Sequence, residues 1–214
     1  MLFKMILKTA VALVIAAILG SGLVAFSHQV TYKKILSNQR AALVHSLSVL
    51  ISHDIYDNDL VNDIAYFQDE NLLGSDTPTV IYRARLQQHP AAAVLSIVAP
   101  AGYNGKIHLL VGIDYDGTLI GVRVISHQET PGLGDMIDAR RSNWILSFNG
   151  LSLNNLTRKA WNVKRDGGVF DQFSGATITP RAVVKAVHNG LLFYENHKTE
   201  IFEAETPSIV QSQQ

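Results

Sequence analysis

The chain has 214 residues, and its 18 Lys and Arg balance its 18 Asp and Glu, so it carries no overall basic field of the kind that gathers nucleic acid. Hydrophobic residues make up 47% of it, enough for one domain with a sizeable core and a short appendage. Cysteine is absent from the sequence, which excludes disulfides, thiolate nucleophiles, cysteine-ligated zinc, iron–sulfur clusters and c-type haem attachment by this chain.

The stretch Thr9–Phe26, TAVALVIAAILGSGLVAF, holds no charge. As a helix it is about 27 Å long, close to the hydrocarbon thickness of a bilayer. It exceeds the apolar run of a cleaved signal peptide, and the residues behind it offer no small-x-small cleavage site. A retained anchor over residues 9–29, preceded by a short terminus over 1–8, is therefore expected. Lys4 and Lys8 before the anchor are matched by Lys33, Lys34 and Arg40 after it, so charge alone does not orient it. Residues 30–77 read as a helical connector. Ile35, Leu43, Leu47, Leu50 and Ile51 recur at helical spacing over 31–52, and the stretch HDIYDNDLVND at 53–63 is a polar junction.

From Pro78 the pattern becomes that of strands: TVIYRARL, AAAVLSIVAP, GKIHLLVGID and TLIGVRVISH. Gly-Tyr-Asn-Gly at 102–105 and Asp-Gly at 116–117 are turn signals between them, and consecutive strands joined by tight turns form an antiparallel sheet. A helix is expected within 135–148. A second is expected with Thr179 as its N-cap and Pro180 in its first position, and with Val183, Val187 and Leu191 as its apolar stripe. The chain thus reads as α+β: one transmembrane helix, then a single domain over 78–200 with a mainly antiparallel sheet packed by helices, then a loose tail over 201–214.

Routine catalytic patterns are missing. His127-x-Glu129 has no cysteine pair to complete a zinc deaminase site, and there is no H-E-x-x-H, G-x-S-x-G, P-loop or dinucleotide fingerprint. No stand-alone catalytic residue and no metal site are expected. Two segments remain. In His127-Gln-Glu-Thr-Pro-Gly-Leu-Gly134, Pro131, Gly132 and Gly134 constrain a loop whose backbone could approach a flat ligand, although an ordinary strand-to-helix connection would look the same. In Asp171-Gln-Phe-Ser-Gly-Ala-Thr177, the small residues Ser174, Gly175 and Ala176 lead into a helix start, where free N–H groups and the helix dipole favour phosphate. Arg181 and Lys185 share one face of that helix and could add charge. A plain capped helix with a solvated basic face fits these residues equally.

The segment DQFSGAT resembles the D-x-x-[ST]-G-A-[ST] flavinylation motif of the FMN-binding domain family, and the HQETPGLG loop and DIYDNDL junction match stretches typical of it. With the anchor in front, the order of parts over about residues 1–200 resembles the G subunits of Rnf-type electron-transport complexes. The resemblance implies FMN held covalently, through a phosphoester, on Thr177, with Ser174, Gly175 and Ala176 as its setting and Asp171 opening the motif. It makes Glu129, Thr130, Pro131, Gly132 and Leu133 candidates for the wall beside the flavin ring. It further implies a separate flavin transferase using FAD, and the other membrane and redox subunits of such a complex as partners. The lipid bilayer is a partner too, with residues 1–8 cytoplasmic and the soluble domain on the periplasmic side of a bacterial inner membrane. The C subunits of sodium-pumping NADH:quinone reductases share the anchor, motif and covalent FMN but are typically longer. A tethered interaction domain without cofactor, in which DQFSGAT merely caps a helix, is the reading from another class.

Overall fold

The structure, a computed structural model, describes residues 2–205. The first helix, α1 (Leu2–Leu50), is continuous, whereas an anchor and a second helix from about residue 31 were expected. The reason is local: Ser27-His-Gln-Val-Thr31 between them contains neither Pro nor Gly, so nothing interrupts the hydrogen-bond ladder. Its segment Ile6–Tyr32 is long and apolar enough to cross a membrane by length and composition, and its described side chains are exposed, as a lipid-facing surface would be. The chain divides into two units, residues 1–45 and residues from Ser46 onward.

The second unit begins with the last turn of α1 and is built on five strands: β1 (Ile64–Phe67), β2 (Thr79–Leu86), β3 (His89–Ala99), β4 (Ile107–Asp114) and β5 (Leu119–Ser126). They lie side by side in chain order and every pairing is antiparallel, giving the expected α+β domain. The connector expected over 30–77 is not helical throughout. It supplies β1, which pairs with β2 from Ile64↔Tyr82 to Phe67↔Thr79, and the short helix α2 (Glu70–Leu73), capped by the Asp69 carboxylate. A four-residue edge strand shows too little alternation to stand out from the polar residues before it.

Register divides the sheet's faces. Ile81, Leu95, Val111 and Val122 follow one another across the ladder. They are buried in one core with Val183, Val187, Leu191 and Tyr194 of the long helix α3 (Ile178–Glu203). On the opposite face the end of α1 packs down, with Leu50 over Gly112 and Gly121 and with Leu47 and Ile51 buried beside it. Residues 201–203, expected in the loose tail, belong to α3. Ile201 and Phe202 are buried in the last turn of α3, and residues 206–214 lie outside the described residues. The helix expected within 135–148 is two short 3-10 turns, Gly134–Ile137 and Trp144–Phe148. Here the Ser142 hydroxyl donates to the Met136 carbonyl, and the Asp138 carboxylate takes the Arg140 N–H, so side chains capture the backbone partners a helix would use.

The β2–β3 hairpin closes on Gln87-Gln88, both left-handed at φ 51° and 66°. A two-residue turn of this kind favours Asn-Gly, because each side chain held there costs about 1–2 kcal/mol. Asp57 offsets part of that cost by accepting the Gln87 N–H at 2.8 Å. Replacing Gln88 with Gly removes the strain but also loosens the unfolded chain. The net expectation is a gain of about 0.5–1 kcal/mol, read as a higher urea midpoint at unchanged slope.

His188 on α3 lies beside the buried Trp161 ring, 5.5 Å between centroids. Burial, aided by the Arg158 charge, lowers its pKa from the ordinary 6.5. The unfolded chain therefore binds this proton first, and stability drops as pH falls below about 6.5. Thermal melts between pH 7.5 and 5.5 should show a shallower decline for His188→Phe than for the wild type. Parallel declines would remove His188 from the account.

Candidate functional site

The site is assembled from two glycine turns and a helix start. After β5 the chain enters Thr130-Pro-Gly-Leu133, where Pro131 presets the first corner and Gly132, at φ 77°, takes the left-handed one. The Thr130 carbonyl accepts the Leu133 and Gly134 N–H groups at 3.1 Å, and the Asp135 carboxylate holds the Gly132 N–H at 2.7 Å. The second turn, Phe173-Ser-Gly-Ala176, repeats the device. Gly175 is at φ 77°, and the Ala176 N–H bonds the Phe173 carbonyl at 3.1 Å. The Phe173 ring packs edge-on against Trp144, whose indole N–H bonds the Asp171 carbonyl at 2.7 Å. The small residues of DQFSGAT therefore serve a turn that delivers Ala176 and Thr177 to the head of α3, and Leu133 from the first turn lies against Gly175 of the second.

Between these turns runs a cleft of about 560 Å³, within the roughly 300–1,000 Å³ usual for small-molecule sites. Glu129, Thr130, Leu133 and Gly134 form one wall, Gly175, Ala176, Thr177, Ile178 and Thr179 another, and Tyr103 and Arg165 complete it. Tyr103, Leu133 and Ile178 are large hydrophobic side chains left exposed there, and they offer apolar surface to a ligand in the cleft.

Thr177, not Thr179, occupies the N-cap position of α3. Its backbone is helical at φ −76° and ψ −24°, outside the extended region from which a cap hydroxyl reaches back, and its side chain makes no cap hydrogen bond. The hydroxyl is thus free of the task its position normally gives it. Thr179, expected as the cap, is instead the buried second residue of the helix, and its hydroxyl donates to the Glu129 carboxylate. That bond spans 50 residues of sequence, so cap statistics could not anticipate it.

Of the sequence-derived candidates, Thr177, Gly175, Ala176, Glu129, Thr130 and Leu133 come together on the cleft. Pro131, Gly132 and Ser174 shape the two turns without lining it. Arg181 does not supply the expected charge: its guanidinium is engaged by Asp166 at 2.5 and 2.7 Å, which holds that carboxyl below its usual range. Lys185 lines a different groove, with Lys106 and Glu70. Both lie a turn or more along α3, where the helix carries them away from its own N-terminus. Asp171 is exposed and paired with Lys164 at 2.6 Å, outside the cleft lining. Sequence reading missed Arg165 and Tyr103. Only the hairpin signal around Tyr103 hinted at a constrained backbone, and nothing local marked Arg165.

Residues 102–192 match the FMN-binding domain family, and residues 1–50 match the RnfG N-terminal region. Three relatives are named as G subunits of ion-translocating oxidoreductase complexes. That of Pseudoalteromonas atlantica is 46% identical over 201 residues, covering 94% of both chains. That of Shewanella piezotolerans is 43% identical over 94% of this chain and 95% of the relative. That of Vibrio cholerae is 42% identical over the same shares. The chain belongs to the family of G subunits of ion-translocating oxidoreductase complexes, electron-transport flavoproteins with an FMN-binding domain behind one candidate transmembrane helix.

Proposed function

We propose that FMN is joined to the Thr177 hydroxyl by a phosphoester bond, and that the chain relays electrons from this fixed flavin to other subunits of its complex. The observation that carries the reading is the Thr177 hydroxyl, on the cleft wall at the N-terminus of a 26-residue helix and without a cap bond. The surroundings fit the group. Tyr103, Leu133 and Ile178 offer flat or apolar surface for a ring system, and the first N–H groups of α3 face the phosphate end. A phosphate in diester form has one negative charge, which the helix terminus and Arg165 can balance, so Arg181 and Lys185 are not needed.

When bound, FMN accepts and returns one or two electrons, while the protein supplies attachment, orientation and electrostatics. The two glycine turns hold the cleft walls, and α1 keeps the domain at the membrane. A separate flavin transferase would form the bond from FAD, with AMP as the other product. Covalent attachment suits a domain on the periplasmic side of a bacterial inner membrane, where a lost cofactor would be difficult to replace.

The test is expression of the full chain with and without a flavin transferase, followed by a denaturing gel and in-gel flavin fluorescence. A fluorescent band only with the transferase, with the FMN mass on the peptide containing Thr177, is expected. A dark band with active transferase overturns the reading.

A further inference from the structure

We propose that Glu129 is the positioning residue of the flavin site: its buried carboxylate ties the walls of the cleft together and holds down the midpoint potential of the attached flavin. This rests on the reading of Thr177 as flavin carrier and adds a role for a group that reading does not use. Glu129 is only 4% exposed, yet it lines the cleft. Its two oxygens take different partners. One accepts the backbone N–H of Asn104 at 3.1 Å, and the other accepts the hydroxyl of Thr179. Three separate pieces of chain, the turn after β3, the loop after β5 and the start of α3, are therefore joined through one carboxylate. A further bond from the Asn104 amide to the Thr130 hydroxyl, at 3.1 Å, doubles the link between the first two.

The fold makes room for this carboxylate. A Cβ on Gly134 would stand 2.8 Å from a Glu129 oxygen, 2.9 Å from the Glu129 Cβ and 2.9 Å from the Thr179 hydroxyl. Gly134 does not have a left-handed backbone, so its lack of a side chain answers to the Glu129–Thr179 contact and not to a turn. Among the described residues no Lys, Arg or His forms an ion pair with Glu129. The donors that satisfy it are neutral, so they fix its orientation without cancelling its charge. A fixed negative charge at the edge of a partly dry cleft opposes the arrival of electrons beside it, and the opposition is stronger there than in water.

The experiment uses the full chain loaded by co-expressed transferase, as wild type and as Glu129→Gln, Glu129→Ala, Thr179→Val and Thr179→Ser. Each is measured for in-gel flavin, for midpoint potential by redox titration, and for anisotropy of flavin fluorescence. In the Glu129→Gln chains that carry flavin, the midpoint potential is expected to rise, because the amide keeps the shape of the side chain and removes its charge. Glu129→Ala and Thr179→Val are expected to lower the anisotropy, as the walls separate and the ring gains freedom. Thr179→Ser, which retains the donor, should match the wild type. Loaded Glu129→Gln and Thr179→Val chains with wild-type potential and anisotropy would overturn the proposal even if Glu129→Ala failed to fold. A wild type that takes up no covalent flavin would overturn the parent reading, and this one with it.

Discussion

Thr177→Ala, expressed with an active flavin transferase, is expected to run as a dark band of normal abundance, while Thr177→Ser retains a fluorescent one. The physical case rests on separating attachment from folding. A threonine that caps a helix through its hydroxyl contributes about 0.5–2 kcal/mol, and losing it would confuse the experiment. Thr177 forms no such bond and its backbone is already helical. Replacing it with Ala should therefore shift stability by a few tenths of a kcal/mol, within the ordinary range for a half-buried position that makes no cap bond. Alanine removes the only atom that could be esterified at this position, whereas serine presents the same oxygen with fewer rotamer restrictions. Thr179→Val provides the contrast, because that hydroxyl is committed to Glu129 and its loss should leave the phosphoester in place. A fluorescent Thr177→Ala band would move the attachment point elsewhere and remove the central residue from the proposal.

Arg83→Met is expected to destabilise the domain by about 3–5 kcal/mol, the usual consequence of removing one member of a buried charged network. The Arg83 side chain is 1% exposed and reaches at least four groups. Its Nε donates to Asp63 at 2.6 Å, and its terminal nitrogens donate to the carbonyls of Ile64, Ile201 and Ala204. The last two are the unpaired carbonyls at the end of α3, where helix ends favour a cation. Arg85 repeats the pattern, bonding Asp63 and the Phe202 carbonyl, both at 2.8 Å. One guanidinium thus joins edge strand β1 to the far end of the helix that carries Thr177. Methionine fills similar volume but leaves three carbonyls and part of a carboxylate without donors in a dry setting. Arg83→Lys should rescue little, since a single ammonium cannot span the fork. Urea denaturation followed by circular dichroism reads the loss directly, and a change under about 1 kcal/mol would show that water replaces these bonds cheaply.

Several features of this protein were legible in its sequence because their causes are local. The charge-free run Thr9–Phe26 announces a candidate membrane span by its length. Asp116-Gly117 and the alternating strands around it announce an antiparallel hairpin, and pairing follows from the short connection. Pro131-Gly132 announces a constrained loop, since few other residues adopt the backbone angles found there. The resemblance of DQFSGAT to a flavinylation pattern was readable for the same reason, since it lies in a short run of neighbouring residues.

Tertiary structure decided the rest. Arg181 is a cation in any sequence reading, but its partner Asp166 lies 15 residues away, and the ion pair withdraws it from the site. Arg165, with no local distinction, reaches the cleft because the segment before DQFSGAT folds back beside it. Thr179 looks like a cap until Glu129, 50 residues earlier, is packed against it. Strand β1 is too short to pattern itself and exists because β2 offers a free edge to it. Turns and apolar spans draw on neighbours in the chain and can be read from it. A cleft draws its walls and its charges from residues that meet only after folding, and so its composition was settled by packing.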